Sequence, residues 1–326
     1  MNLLITGIGT YLGQVVVSRL MRDNPFRRVF GLARRPPAVL GPAYFIGADI
    51  RSVDLGDLLV INDIEAVLHL AWSDGHQDAA RDEVAVVKRL FEIAEPAGLH
   101  RLVIPSRDIV YAPAAAPVSE AAPLRAADER RFGGNGLLTA ALGVEAQIAS
   151  YRASASAVPV VVPRLGPVVG PTRGRVFDAV LARRPLIGPP SGDPVLQFLH
   201  AADAAEVLVA SVLRPGLDGI YNAAGAEPLA LSAVAGILET GLVHPPGWLA
   251  RPAVAALSRM GVLPFKPADA ARLHLGVAMD TSRLRAEVCP LRFSSRQALA
   301  VWRVGQGARR GALASPHRHP DPLGEV

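Results

Sequence analysis

A short apolar run followed at once by closely spaced glycines opens the chain, and this arrangement restricts the possible folds more than any other stretch. Residues 2–6, Asn-Leu-Leu-Ile-Thr, are long enough for one buried strand. Gly7, Gly9 and Gly13 follow, and the apolar residues of 15–20 then recur at the spacing of a helix that packs on a sheet. A strand, a glycine-rich turn and a helix in this order predict that the chain begins with the first unit of an α/β fold.

The same turn predicts a binding site for a dinucleotide. Glycine lets the backbone turn sharply and approach a ligand closely, and the free N–H groups at a helix start attract an anion such as a pyrophosphate. The usual patterns fit only in part, because Leu12 stands at the third glycine of Gly-x-Gly-x-x-Gly and Thr10 at the middle glycine of a longer variant. A cofactor-free turn that keeps its glycines for packing is therefore the alternative. The residues predicted to contact the cofactor here are Gly7, Gly9, Thr10, Tyr11, Leu12 and Gly13.

The second predicted strand, 28–33, ends in a basic segment that bears on the choice of cofactor. At this strand end, dinucleotide-binding folds place an acid on the ribose 2′-hydroxyl or an arginine beside a 2′-phosphate. Arg34 occupies the position here, which favours NADP(H) over NAD(H). The competing interpretation is a solvated basic loop, since six arginines occur from Arg19 to Arg35.

The composition narrows the class of protein. The 326 residues are 50% hydrophobic and 19% charged, as in a soluble globular chain, and the net charge of +5 comes almost entirely from arginine. No stripe of interleaved aromatic and basic residues occurs, so nucleic acid is not a predicted partner. The single cysteine, Cys289, excludes an internal disulfide and a cysteine zinc cluster, and it favours a cytoplasmic protein without a metal site. A first strand at Asn2 predicts no leader, and the absence of a run of about 18 apolar residues predicts no membrane span.

Strand-like and helix-like segments alternate along the first half of the chain. Apolar runs at 44–49, 65–71 and 101–105 are predicted as strands, and the apolar residues of 84–94 recur at helical spacing. This alternation predicts a Rossmann-type, doubly wound parallel sheet of the α/β class. Gly, Arg, Pro and His dominate the last residues without any apolar period, so 305–326 is predicted to be a flexible tail.

Ten short stretches, taken together and in order, resemble the extended short-chain dehydrogenase/reductases, the family of nucleotide-sugar epimerases and dehydratases. The resemblance covers residues 1–303. Each stretch alone is weakly specific. The resemblance rests on the order and spacing that the stretches share with the family. The stretches are Thr6-Gly7…Gly13, Asp49-Ile50, His69-Leu70-Ala71, Val110-Tyr111, 160–164, 166–171, 198–206, 219–222, 279–285 and 290–294.

The resemblance implies a division of the chain and an assembly. It implies a dinucleotide-binding Rossmann domain at 1–165, completed by segments around 195–222, and a smaller C-terminal substrate-binding lobe that takes up most of 166–304. It also implies a homodimer formed by the helices at 78–97 and 135–151, whose apolar residues include Val84, Val87, Phe91, Leu137, Leu138 and Leu142. Further cofactor contacts are implied for Asp49, Ile50, Leu70, Ala71 and Arg164.

The chain differs from this family at the positions of the catalytic residues. The family uses a Tyr-x-x-x-Lys pair on one helix face as general acid/base and ribose ligand, together with a serine or threonine after the fifth strand. In this chain the corresponding positions hold Leu137, Ala141 and Arg107. None of the five tyrosines has a lysine four residues later, so the pair is absent in any alignment. General acid/base assistance contributes about 10²–10⁴ in rate, so its loss predicts another mechanism or no catalysis.

Four residues are candidates for a replacement chemistry: Arg107, Tyr111, Asp74 and His76. A guanidinium stays charged and donates five hydrogen bonds in one plane, so Arg107 could hold a carboxylate, a phosphate or an enolate. The competing interpretation is an ion pair with Asp108 or another acid. Asp74 and His76 would supply proton transfer from the opposite wall.

Three functional hypotheses follow. The chain is an atypical family member that binds NADP(H) and acts on a small polar or natural-product substrate with other catalytic residues. Alternatively, it is a non-catalytic NADP(H)-binding sensor or partner subunit. The third hypothesis is a lyase, cyclase or isomerase that uses no cofactor. Cofactor affinity and turnover distinguish the three, and the sequence does not identify the substrate.

Overall fold

The central element of the fold is a twisted parallel sheet. A computed structural model describes residues 1–72, 77–126, 136–154, 158–170, 176–182, 184–190, 192–246 and 276–314. Apolar stretches such as 2–6 and 160–165 are buried along their whole length, as expected for strands covered on both faces. The strands are β1 (Asn2–Thr6), β2 (Arg28–Ala33), β3 (Ala43–Gly47), β4 (Ala66–His69), β5 (Arg101–Val103), β6 (Ser106–Arg107), β7 (Val160–Leu165), β8 (Val168–Val169), β9 (Leu186–Ile187), β10 (Val195–Leu196), β11 (Leu199–His200), β12 (Gly219–Ala223), β13 (Leu229–Ala230) and β14 (Leu242–Val243).

The strand order of the main sheet is β12-β7-β5-β4-β1-β2-β3, and β6 continues along β7. All neighbours in it run parallel. The chain winds outward from β1 in one direction through β2 and β3, and then returns to place β4 on the other side of β1. The two halves therefore diverge at β1 and β4, which is where open α/β sheets leave a crevice for a ligand.

Helices cover both faces of this sheet, so the predicted doubly wound α/β architecture is confirmed. The helices are α1 (Tyr11–Leu20), α2 (Leu55–Ile61), α3 (Gln77–Ala94), α4 (Gly136–Arg152), α5 (Val176–Leu181), α6 (Ala201–Leu213), α7 (Leu231–Ile237), α8 (Ser282–Glu287) and α9 (Ser295–Ala314). One apolar core joins α1 and α6 to the sheet, and a second joins α2, α3 and α4 to its opposite face. No helix in the described ranges has both the length and the apolar character of a membrane span.

Shorter strands and a separate apolar core occupy the C-terminal half. β10 pairs with β13, β11 with β8 and β14 with β9. Phe198, Leu231 and Trp302 lie in the third core, and the Trp302 indole donates a 2.8 Å hydrogen bond to Asp178. Helix α9 continues to Ala314, into the segment predicted as a tail, and residues 315–326 lie outside the described part. The division at 165 and 304 stays a prediction.

The apolar residues assigned to a dimer interface pack inside the protomer. Val87 is fully enclosed, and Phe91 and Leu138 are buried. The helices α3 and α4 approach so closely that a Cβ on Gly143 would lie 2.6 Å from Val84 Cγ2. These three side chains therefore do not form an exposed apolar face, because each helix already covers the other. The homodimer itself stays a prediction.

Candidate functional site

The turn between β1 and α1 brings the backbone of the first strand against the end of the fourth. Gly7 has a φ of +68°, and a Cβ there would lie 2.6 Å from the Ala71 backbone. A Cβ on Gly13 would lie 2.5 Å from the carbonyl oxygens of Gly7 and Ile8. Both glycines are therefore required by close backbone packing. The residues Gly7, Leu70 and Ala71, which the sequence places in one site, are adjacent.

Gly9 has a different environment from these two glycines. It is exposed, and a Cβ added to it would meet only Pro37 and Ala33, at 3.9 and 4.0 Å. A Cβ at Gly9 would therefore make only ordinary contacts, at an exposed position one residue before the Thr10 N-cap of α1. A helix start with free backbone N–H groups and such an uncrowded position fits the pyrophosphate of a dinucleotide.

Thr10, which replaces a glycine of the longer motif, caps the helix. Its hydroxyl accepts a hydrogen bond from the Gly13 N–H at 3.2 Å and donates one to the Leu70 carbonyl at 3.3 Å. An N-cap side chain is a normal requirement of a helix start, so the departure has a structural reason. Tyr11 is half-buried and the Leu12 side chain lies in the core, so Leu12 offers only its backbone to a ligand.

The contrast between Gly13 and Gly9 gives a stability prediction. Gly13→Ala is expected to reduce the free energy of unfolding by about 1–3 kcal/mol, because the added methyl group meets backbone oxygens that cannot move aside. Gly9→Ala, the matched control, is expected to change stability by less than about 0.5 kcal/mol, since it adds the same group at an exposed, uncrowded position. Urea denaturation followed by circular dichroism measures both, and equal losses would contradict this account of the turn.

The predicted adenosine end of the site carries charged side chains of both signs. Arg34 follows β2, is exposed and makes no hydrogen bond within the described residues. Asp49 follows β3 and pairs with Arg51 at 2.6 Å, and Arg51 also reaches Asp82 at 2.9 Å. The hydrogen bonds from Arg51 lower the pKa of Asp49 to about 2. Ile50 packs against the second core.

Arg107 lies at the carboxyl end of the sheet in an ion pair that crosses to α3. Its Nη1 lies 3.3 Å from Glu83 Oε1, and the two side chains are only 5% and 3% exposed. The guanidinium also stacks on the Trp72 ring, with its carbon 4.4 Å from the ring centroid. The alternative interpretation of an ion pair is therefore confirmed, with Glu83 as partner. Glu83 is not among the candidates from the sequence, because a single acid on a helix with many charged residues cannot be distinguished there from a solvent-exposed one.

Tyr111 and Arg164 belong to a buried polar network. Arg164 contacts both oxygens of Glu145, at 2.8 and 2.7 Å, and its Nη1 donates to the Tyr111 hydroxyl at 2.8 Å. That hydroxyl donates to Asn222 Oδ1 at 2.5 Å, and burial raises the pKa of Tyr111. Tyr111 is fully enclosed, and Arg164 is 3% exposed with each guanidinium nitrogen bonded. The geometry therefore does not support the predicted catalytic role of Tyr111 or a cofactor contact by Arg164.

The positions of the family's catalytic pair are filled by apolar packing. Leu137 is buried against Ile109 and Leu138, and Ala141 lies in the cluster around Tyr111. Asp74 and His76, the two remaining catalytic candidates, lie outside the described residues.

His69, at the end of β4, is a buried polar residue. Its Nδ1 lies 2.8 Å from the Thr6 hydroxyl, and its Nε2 has no hydrogen-bond partner within the described ranges. Burial lowers the pKa of His69 from 6.5 to about 4. The ring is therefore neutral in the folded protein at pH 7.

This lowered pKa predicts a pH-dependent stability. Between pH 6.5 and 4 the unfolded chain binds a proton at His69 that the folded chain does not, so stability is complete above pH 6.5 and falls as the pH decreases. The loss is expected to reach about 3 kcal/mol near pH 4. Urea titrations at several pH values measure it, and His69→Asn, which removes the titrating group, is expected to flatten this part of the profile. An unchanged slope would show that other groups cause the dependence.

Comparisons with known proteins give a family and a set of similar folds. The model of the NAD dependent epimerase/dehydratase family matches residues 3–224. No curated protein matches the chain. Among solved structures, MoeE5 in complex with UDP-glucose and NAD has a TM-score of 0.71 at 20% identity, covering 96% of this chain and 100% of its own. The UDP-glucuronic acid 4-epimerase from Bacillus cereus in complex with NAD has a TM-score of 0.70 at 19% identity, covering 95% and 98%. Pal from Bacillus thuringiensis has a TM-score of 0.72 at 19% identity, covering 95% and 100%.

Proposed function

Because the chain belongs to the NAD-dependent epimerase/dehydratase family, we propose that it binds a nicotinamide dinucleotide at the β1–α1 turn and acts on a small polar substrate. The single observation that supports this most is the exposed, uncrowded position of Gly9 before the N-terminus of α1. A bound nicotinamide would accept or donate a hydride. MoeE5 and the UDP-glucuronic acid 4-epimerase are in complex with NAD, and MoeE5 is also in complex with UDP-glucose, so a nucleotide sugar or a related molecule is the substrate class to test first.

The proposed substrate pocket lies beside this turn, at the carboxyl ends of β4 and β5. Trp72 and Arg107 lie there, and their stacking joins the two strand ends. The catalytic set is non-standard, because Leu137 and Ala141 have no group that transfers a proton. Arg107 would orient an anionic group. Asp74 and His76 remain the proposed proton donors and acceptors.

A second candidate function is a cofactor-binding protein without turnover. It is favoured by one observation, the burial of Leu137, Ala141 and Tyr111 in apolar or fully bonded surroundings. The first function predicts oxidation or reduction of a bound substrate, seen as a change in nicotinamide absorbance, whereas the second predicts binding alone. Titration with NADPH and NADH, followed by a turnover assay with UDP-glucose and UDP-glucuronic acid, separates them. Absence of binding by both nucleotides would refute both and favour a lyase, cyclase or isomerase.

We further propose that the cofactor is NADP(H), because Arg34 follows β2 with its guanidinium exposed. Arg34→Ala is expected to weaken NADPH binding by about tenfold and to leave NADH binding unchanged, since the charged hydrogen bonds to a 2′-phosphate contribute about 1.5–3 kcal/mol. Calorimetric titration of both nucleotides measures the ratio. Arg22→Ala is the matched control, because Arg22 is also exposed but follows α1 at the opposite end of the sheet. Tighter binding of NADH by the native chain would refute the preference, and NAD is the cofactor in the similar structures.

The assembly is proposed to be a cytoplasmic homodimer formed by α3 and α4. With the large apolar residues buried, the contact would use the small exposed residues Ala85, Ala146 and Ala149 on the outer faces of these helices. Small side chains let helices of two protomers approach closely. Light scattering after size-exclusion chromatography tests the mass, and Ala146→Arg is expected to convert a dimer to a monomer. A monomeric native chain would refute the proposal.

A further inference from the structure

Arg164 and Arg107, both buried near the carboxyl end of the sheet, differ in how completely the protein satisfies their hydrogen-bond donors. Arg164 makes two bonds to Glu145 at 2.7 and 2.8 Å, one to Tyr111 and one to the Glu120 carbonyl. Arg107 makes one hydrogen bond, to Glu83 at 3.3 Å, although its side chain is 5% exposed. Charge-assisted bonds of this kind are usually about 2.7–2.9 Å long. The contact with Glu83 therefore satisfies little of the hydrogen-bonding capacity of Arg107.

The Arg107 side chain is not completely enclosed, because 5% of its surface stays exposed. Its remaining N–H groups have no partner within the described residues, and none is among the buried side-chain atoms that lack a partner there. Trp72 covers one face of the guanidinium at 4.4 Å, so a ligand reaches it most directly in the plane of the group. Two coplanar N–H donors match the two oxygens of a planar anion.

The Arg107 guanidinium lies next to the turn between β1 and α1. Trp72 follows Ala71, whose backbone would lie 2.6 Å from a Cβ on Gly7. Arg107 ends β6, which pairs with β7 in the same parallel sheet. The carboxyl ends of the strands therefore bring the stacked Trp72–Arg107 pair to the edge where the turn lies.

We propose that Arg107, held by Trp72 and Glu83, binds a carboxylate group of the substrate and makes the protein selective for carboxylic acids. The proposal rests on the proposed function, because it takes the pocket beside the turn as the substrate site. A carboxylate is favoured over a phosphate, because Trp72 covers one face of the guanidinium and a flat anion can lie in the same plane as the donors. Arg107 is a specificity-determining residue in this account, and the proposal assigns it no proton transfer.

Two small probes of the same shape test the proposal, acetate and its neutral analogue acetamide. Tryptophan fluorescence of the full chain is followed during titration at constant ionic strength, and Trp72→Phe assigns the signal to the stacked ring. Acetate is expected to bind at least about tenfold more tightly than acetamide, because charge-assisted hydrogen bonds are about twice as strong as neutral ones. Equal responses to the two probes would overturn the proposal. Tighter binding of inorganic phosphate than of acetate would overturn the assignment to a carboxylate.

Two variants place the effect at Arg107. Arg107→Gln is expected to abolish the difference between acetate and acetamide, and persistence of the difference would overturn the proposal. Arg107→Lys keeps the buried charge beside Glu83 and is the second test variant if Arg107→Gln does not fold. It is expected to weaken acetate binding about tenfold, because an ammonium group lacks the planar pair of donors, and unchanged acetate affinity would count against the proposal.

Parallel titrations with NADPH separate this inference from the proposed function. Arg107→Gln is expected to keep the NADPH affinity of the native chain. Discrimination between acetate and acetamide without NADPH binding would uphold the anion site and refute the nucleotide site. Binding of NADPH without that discrimination would do the reverse.

Discussion

Gly9→Asp is expected to abolish dinucleotide binding and to leave the fold intact. A Cβ at Gly9 makes only ordinary contacts, at 3.9 and 4.0 Å, so the variant is expected to fold, but its side chain would project into the position proposed for the pyrophosphate. An added carboxylate opposes that anion by volume and by charge. Like charges in contact cost several kcal/mol, so the dissociation constant is expected to rise at least about 100-fold. Calorimetric titration of NADPH and NADH measures the loss.

Gly236→Asp is the matched control for this variant. Gly236 is exposed on α7, and a Cβ there meets nothing within 4 Å, so the same charge change is made at an uncrowded site far along the chain. This control is expected to bind NADPH as the native chain does. Thermal unfolding of both variants confirms that each folds. Unchanged nucleotide binding by Gly9→Asp would contradict the location of the site.

The second large effect is expected in the buried network around Arg164. Glu145→Gln or Arg164→Met alone is expected to lower the free energy of unfolding by about 3–5 kcal/mol, because each leaves a buried charge without its partner. The two side chains are both 3% exposed and meet in a two-point ion pair. Removing both charges together, as Glu145→Leu with Arg164→Met, is expected to cost less than the sum of the single changes.

Urea denaturation of the single and double variants measures this coupling. Lys88→Met is the control, because Lys88 and Glu92 form an exposed pair on α3 at 3.7 Å. Loss of this exposed pair is expected to lower the free energy of unfolding by less than about 1 kcal/mol. Additive losses at Glu145 and Arg164 would show that the two groups act independently and that the network is not cooperative.

The sequence predicted the fold well, because the sheet is specified by local patterns. The apolar runs at 28–33 and 101–105 became β2 and β5, and the turn at Gly7 joined β1 to α1 as expected. The continuation of α9 past 305 was not predicted, because a helix can continue through a polar stretch when its first turns are anchored, and Trp302 anchors α9 on Asp178.

The candidate site was predicted only in its backbone part. The glycine turn is visible in sequence because the conformation of glycine restricts which residues can stand there. The partners of Arg107 and Arg164 are not visible, because Glu83 and Glu145 are 24 and 19 residues away and lie on helices. A tyrosine such as Tyr111 gives no sign in sequence of whether its hydroxyl faces a substrate or an asparagine in the core.

The double role of Thr10 has a kinetic consequence. Its hydroxyl joins the start of α1 to the end of β4 through the Gly13 N–H and the Leu70 carbonyl. A nucleotide arriving at this turn meets a backbone that is already ordered, so little chain entropy is lost on loading. Entry and exit of the nucleotide are therefore expected to follow single-exponential kinetics without a slow rearrangement of the turn. Thr10→Gly, which frees the turn, is expected to introduce such a slow step in stopped-flow traces.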